Sequence, residues 1–146
     1  MVIKQIPAYA VPSVLNLAAK AYKWGTGKDD FNKSVAAGNW MNLITEGNGV
    51  VFAVSDNGFP VGLLCGYKTR NIDTGKAIAQ MWHWYVAPEA RGCGLRLLRR
   101  FEAWAKENGC QSVKIGCLTT LWDGHHEKVY KRLGYELAGM SFEKES

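Results

Sequence analysis

The chain has few residues that could staple it or hold a metal: four cysteines and three histidines in 146 residues. Cys65, Cys93, Cys110 and Cys117 include no C-x-x-C pair and no histidine at a zinc-ligand spacing. A disulfide framework and a structural zinc site are therefore not expected, and the thiols read as reduced and mostly buried. Long apolar runs are also missing, and none approaches the roughly 20 residues a membrane helix requires. No charged-then-apolar leader opens at Met1, so the expected location is the cytoplasm, away from any membrane. There is no internal repeat, no low-complexity tract and no run of lysine and arginine.

What is present suits a folded enzyme-sized domain. The apolar share is 47% and the charged share 21%, with six Trp, six Tyr and five Phe, which argues against disorder. A chain this long buries roughly 68–70% of its unfolded surface, enough for one unstapled domain spanning 1–146. Eighteen Lys and Arg against thirteen Asp and Glu leave +5, pointing to an anionic partner. A phosphorylated cofactor, an acidic substrate and nucleic acid all fit that sign, though the dispersed cations make nucleic acid the poorest fit.

Periodicity sets the order of elements. Met1 to Ile6 reads as a strand ended by Pro7. Val14, Leu15, Ala18, Ala21 and Tyr22 recur at helical spacing until Gly25 and Gly27. Asp29 and Asp30 suit the start of a shorter helix through Phe31 and Val35; Gly38 to Asn48 carries no clear pattern. Val50–Val54 and Val61–Tyr67 read as a hairpin around Asp56-Asn57-Gly58. A turn at Asp73-Thr74-Gly75 leads into a long aromatic strand, Ala77 to Val86. Leu97, Leu98, Phe101, Trp104 and Ala105 form one helical stripe stopped by Gly109. Ser112 to Cys117 alternates as a strand, Asp123 suits the cap of a helix through Val129 and Leu133, and Tyr135 to Glu143 reads as one or two closing strands. The sum is a mixed α/β domain.

The chemistry starts at Val86-Ala87-Pro88-Glu89-Ala90-Arg91-Gly92-Cys93-Gly94-Leu95, where a strand runs through a glycine-bearing turn onto a strong helix. The first N–H groups of a helix lack internal partners and carry the positive end of its dipole. Gly92 and Gly94 would let this backbone close around a pyrophosphate, with Arg91 adding a fixed cation. By itself the glycine pair also fits a tight strand-to-helix turn with no ligand.

This stretch resembles motif A of the GNAT acetyltransferase superfamily, R/Q-x-x-G-x-G/A after a long strand and a V-x-P step. Val86 and Pro88, Arg91 and Gly94 match; the sixth position is Arg96 instead of Gly or Ala. The element order resembles that superfamily's fold over nearly the whole chain, implying a mostly antiparallel sheet with two splayed strands flanked by helices. The resemblance implies that the amides of Arg91, Gly92, Cys93 and Gly94, with Leu95 and Arg96 beside them, hold the pyrophosphate of acetyl-CoA. It implies too that the backbone of Trp84, Tyr85 and Val86 pairs with the pantetheine arm. Arg96, Arg99 and Arg100 would serve the ribose phosphate or form a solvated basic face.

Lys128-Val129-Tyr130-Lys131-Arg132-Leu133-Gly134-Tyr135 resembles the superfamily's motif B, in which the residue matching Tyr130 protonates the departing thiolate. Taken alone, Tyr130 could equally be a packed aromatic. Where members often carry an asparagine this chain has Asp123, better suited to capping. Positions that hold a carboxylate or histidine base in several members are Gln80 and Trp82 here, and neither accepts a proton. Strand alternation sets His83 on the opposite face; it reads as a base or as a buried, hydrogen-bonded histidine. Alternation also places Gln80, Trp82 and Trp84 together, as an acceptor-binding face or as core. The resemblance implies an acetyl-CoA-dependent N-acetyltransferase acting on an unidentified amine by direct attack; a homodimer is compatible with it. The alternative is a GNAT-like module that binds CoA or nucleic acid without turnover, for which the missing base and Arg96 speak.

Overall fold

In the computed structural model, residues 1–90, 92–116, 124–139 and 142–145 are described, 124–127 by backbone alone. They form two compact units, Met1–Gly116 and Cys117–Ser146. The first contains strands β1 (Val2–Gln5), β2 (Gly49–Asp56), β3 (Phe59–Arg70), β4 (Ala77–Val86) and β5 (Ser112–Lys114), with helices α1 (Leu15–Thr26), α2 (Lys33–Thr45) and α3 (Gly94–Glu107). The second contains α4 (Gly124–Arg132).

The sheet order is β1-β2-β3-β4-β5. Its first four strands are antiparallel and β5 joins parallel to β4. The β2–β3 hairpin turns where expected, because Asn57 (φ 50°) and Gly58 (φ 85°) accept the positive φ that matches strand twist. At the next hairpin the Asn71 carboxamide oxygen accepts the amides of Asp73 and Thr74, at 2.9 and 3.0 Å.

Alternation along the strands fills both faces. Val51, Ala53, Leu63 and Cys65 meet Val11, Val14, Leu15, Ala18, Ala21 and Trp40 on the α1–α2 side. On the other side α3 lays down its stripe, with Leu97, Leu98 and Phe101 each fully buried. Phe101 stacks on Trp104 with ring centroids 5.9 Å apart, and the Arg100 guanidinium covers the Phe52 ring at 5.2 Å. No polar or charged residue is buried among those described. Burial drives the Cys65 thiol well above its usual pKa, so it stays an inert, protonated core residue.

Several boundaries differ from the sequence reading. The first helix begins as a 3-10 turn over Ala8–Val14, which accommodates Pro12. Gly25 does not break it; α1 runs on to Thr26 and stops at Gly27, which takes the left-handed conformation at φ 72°. Asp29 and Asp30 do not start α2. Asn32 does, its side chain accepting the Val35 amide at 3.0 Å, and an N-cap oxygen outweighs nearby charge. Asp30 instead accepts the Tyr22 hydroxyl at 2.7 Å. The unpatterned stretch from Gly38 is helical to Thr45, because α2 buries Trp40 and half-buries its neighbours without a clean stripe. β5 ends at Lys114, not Cys117. The described residues of the tail, 135–139 and 142–145, form no strand: alternation without a ladder partner does not make one.

Gly66 is the tightest point of the core. A Cβ there would lie 2.2 and 2.4 Å from the Phe101 ring. Gly66→Ala should lower the unfolding free energy by about 1–3 kcal/mol in urea titration. Gly66→Ala with Phe101→Leu should cost less than the sum of the two single changes. Additivity would show that the ring and the glycine do not compete for space.

Candidate active site

β4 is held unequally on its two sides. β3 pairs with it from Ala77 to Val86, whereas β5 reaches only Ile78, Ala79 and Gln80. From Met81 onward no described strand pairs with the β5 side. The direction of each backbone group follows from one bond: the Ala87 amide donates to the Val61 carbonyl at 2.8 Å, toward β3. In an antiparallel pair, residues alternate between facing the partner and facing away. Trp84 and Val86 therefore present N–H and C=O to the open side, while Tyr85 faces Leu63 across the ladder. Of the three residues expected to pair with a ligand, Trp84 and Val86 turn their backbone away from β3 and Tyr85 turns its own toward it.

The strand then enters the turn. The Ala90 amide donates to the Ala87 carbonyl at 2.9 Å and the Cys93 amide to the Ala90 carbonyl at 3.1 Å. Cys93 thus differs from the expectation: its amide closes the turn and is not free for a phosphate. The amides of Gly94, Leu95 and Arg96, in the first turn of α3, have no acceptor among the described residues; intrahelical bonding begins with Leu97 to Cys93 at 3.0 Å. Gly92 holds φ 99°, a conformation closed to most side chains. The Trp84 indole N–H donates to the Gly94 carbonyl at 3.1 Å, fastening the helix start to the strand. Leu95 and Arg96 are exposed. Arg91 lies outside the described residues.

One irregularity reassigns the faces of β4. Cys65 pairs with His83 and Gly66 with Met81, so Trp82 is an extra residue, a β-bulge. The bulge cancels one step of alternation. Trp82 and His83 consequently point to the same side: Trp40 lies 5.5 Å from Trp82 and 5.7 Å from His83, ring centroid to centroid. Tyr67 lies 5.8 Å from Trp82, and Phe31 lies 6.5 Å from His83. Trp84 faces α3. The expected grouping of Gln80, Trp82 and Trp84 is therefore broken, and His83 is not opposed to Trp82. Gln80 donates its side-chain amide to the Met81 carbonyl at 3.0 Å.

The electrostatics of this ring cluster are nearly neutral. Burial lowers the His83 pKa from 6.5 to about 4, leaving the imidazole uncharged near neutrality. The Trp82 indole N–H is shielded from solvent with no acceptor among the described residues. The nearest acids in sequence are occupied, Asp30 by Tyr22 and Asp29 by Lys23 at 3.1 Å. Phe31, Trp40 and Tyr67 were not singled out from sequence. The signal available was an aromatic residue in each segment flanking the long strand, but only the bulge reveals that they converge.

In the second unit, Tyr130 lies in the last turns of α4 and is half-buried. The helix ends with Gly134 at φ 91°, the Tyr135 amide donating to the Tyr130 carbonyl at 2.9 Å and the Gly134 amide to the Lys131 carbonyl at 3.0 Å. This Schellman closure explains why Gly-Tyr follows the helix: glycine takes the left-handed position that locks the Tyr130 carbonyl. Asp123 and Cys117 fall outside the described residues, as do the side chains of His125 and His126.

The model of the acetyltransferase (GNAT) family matches residues 11–135. A comparison with curated proteins finds no significant match. Among solved structures, an aminoglycoside acetyltransferase from an uncultured soil metagenomic sample superposes with TM-score 0.76 at 14% identity, covering 99% of this chain and 97% of that one. A ribosomal-protein-alanine N-acetyltransferase from Brucella melitensis biovar Abortus gives 0.71 at 16%, covering 100% of both. A predicted acetyltransferase with acetyl-CoA from Clostridium acetobutylicum gives 0.79 at 13%, covering 99% and 95%. These likenesses are of fold, and the fold they share is the mixed sheet flanked by helices described above. The chain belongs to the acetyltransferase (GNAT) family of acetyl-CoA-dependent N-acetyltransferases.

Proposed function

We propose that the protein transfers the acetyl group of acetyl-CoA to a primary amine by direct attack, within a single domain spanning both units. The observation that carries this reading is the half of β4 beyond its β5 pairing, running straight into first-turn amides of α3 that have no acceptor among the described residues. The family match crossing both units supports treating them as one domain.

The residues fit the cosubstrate. The first-turn N–H groups of Gly94, Leu95 and Arg96, which have no acceptor among the described residues, the conformation of Gly92 and the Arg96 cation suit a pyrophosphate. The backbone of Val86, turned away from β3, suits an amide-bearing arm, with Trp84 beside it as the resemblance to motif A implies. The amine nitrogen attacks the thioester carbonyl carbon, the C–S bond breaks, and the thiolate leaves with a proton. By resemblance to motif B that proton comes from Tyr130. No strong base is needed for the acceptor to enter as the free amine, a form the near-neutral surroundings of His83 and Trp82 favour, and the proton its nitrogen sheds after attack passes to water, from which Tyr130 regains the one it gave. Gln80 and Trp82 line the acceptor side in this reading. A second reading, a module that binds CoA without turnover, draws on the lack of a free carboxylate in the ring cluster.

Thermal unfolding with acetyl-CoA tests the binding half. At a hundredfold excess over Kd, about 2.7 kcal/mol of stabilisation should raise Tm by roughly 5–10 °C, and no shift would end this reading. Thiol release with an amine panel then separates enzyme from binder. Tyr130→Phe should lower kcat about a hundredfold with the Tm shift intact; an unchanged kcat would remove Tyr130 from the mechanism.

His83 makes a separate pH prediction. Its folded pKa lies below its unfolded one, so between pH 6.5 and 4 the unfolded chain binds the extra proton. Stability should therefore fall as pH drops through that window, by at most about 3 kcal/mol from this group. His83→Phe should flatten the slope in urea titrations across that range, and an unaltered slope would mean that His83 is not the buried neutral group.

A further inference from the structure

The amine acceptor left open above is constrained by the β4 bulge. Because Trp82 is the extra residue, it and His83 share one face beside the unpaired half of the strand. Phe31 from the segment before α2, Trp40 from α2 and Tyr67 from β3 converge on them, with centroid separations from 5.5 to 6.5 Å. Phe31, Tyr67, Trp82 and His83 remain partly exposed at this face, while Trp40 forms its buried floor.

Charge argues against a polycation here. Carboxylates are the groups that hold several ammonium charges at once, and the acids of the adjoining loop are already engaged by Lys23 and Tyr22. Lys28 and Lys33 flank the same loop. Rings favour instead a flat apolar body by stacking and edge contacts. The Trp82 indole N–H adds a polar requirement. It is shielded from solvent without an acceptor among the described residues, a costly state that an occupant's oxygen would relieve once the partly exposed rings part to admit it.

We infer that the acceptor is a ring-bearing monoamine with a carbonyl or hydroxyl oxygen near its amino group, its ring received by Phe31, Tyr67 and Trp82. This rests on the proposed transfer to an amine, but binding tests it without turnover. Calorimetric titration of the CoA-saturated protein would compare phenylalaninamide (ring and carbonyl), phenethylamine (ring alone) and sisomicin (a polycation). Phenylalaninamide should bind at least tenfold more tightly than sisomicin. Trp82→Phe should weaken phenylalaninamide at least fivefold and phenethylamine less than twofold. Phe31→Ala, at a partly exposed position outside the helices, should weaken both ring amines alike and guards against a Trp82 variant that folds poorly. Tighter binding of sisomicin, no binding of either ring amine, or an equal loss for both in Trp82→Phe would overturn the inference. If CoA itself fails to bind, the transferase reading falls, and the same titrations on the free protein still decide the acceptor class.

Discussion

A strand that loses its neighbour partway along leaves backbone donors and acceptors with nothing to bond. Among the described residues β4 loses its β5 neighbour after Gln80, and the rest of the site is arranged around that edge. An unpaired strand edge is normally a hazard, open to pairing with any other extended chain. Here the far side of β4 is tied to β3 throughout, and its end is fixed by the Trp84 indole on the Gly94 carbonyl. The edge can stay open because everything behind it is held.

The two glycines of the turn serve different ends. Gly92 is required by the backbone itself, since at φ 99° a side chain would strain the chain whatever the space around it. Gly94 is not. A Cβ at that position would meet Val86 and Trp84 at 3.6–3.7 Å, ordinary contacts that any small residue could make. The missing side chain at 94 leaves the protein no better packed, so in the proposed reading its value would lie outward, in letting a ligand approach the helix start. Family resemblance alone could not separate a glycine kept for conformation from one kept for access.

Much of this was legible in the sequence because it is local. The turn chemistry of Asn57-Gly58, the α3 stripe and the strand-turn-helix at Val86 to Leu95 depend on neighbouring residues, and they fold as read. What failed depended on partners distant in sequence. Alternation assigns Gln80, Trp82 and Trp84 to one face only if the ladder is regular, and whether it is depends on how β3 registers against β4. The shift falls between Cys65 and Gly66, where the Phe101 ring occupies the space a Cβ on Gly66 would take, a contact between residues far apart in sequence. Likewise, α2 lacks a clean apolar stripe since only Trp40 is fully buried, and its helicity follows from the Asn32 cap and from packing that periodicity does not record.

The bulge has a chemical consequence that regular pairing would have prevented. With perfect alternation His83 would sit apart from Trp82, and the acceptor face would show glutamine and indoles. With one residue inserted, the imidazole joins the rings and loses its charge to burial. An imidazole whose pKa is held near 4 is a poor acceptor for the proton of an ammonium ion, yet it keeps the surroundings neutral. A neutral, ring-walled space disfavours the ammonium form and so lowers the pKa of an entering amine, raising the share that arrives ready to attack. In the proposed transfer, desolvation of the acceptor would do what a carboxylate at Gln80 or Trp82 would otherwise do, and the missing base would select for amines that give up their proton easily.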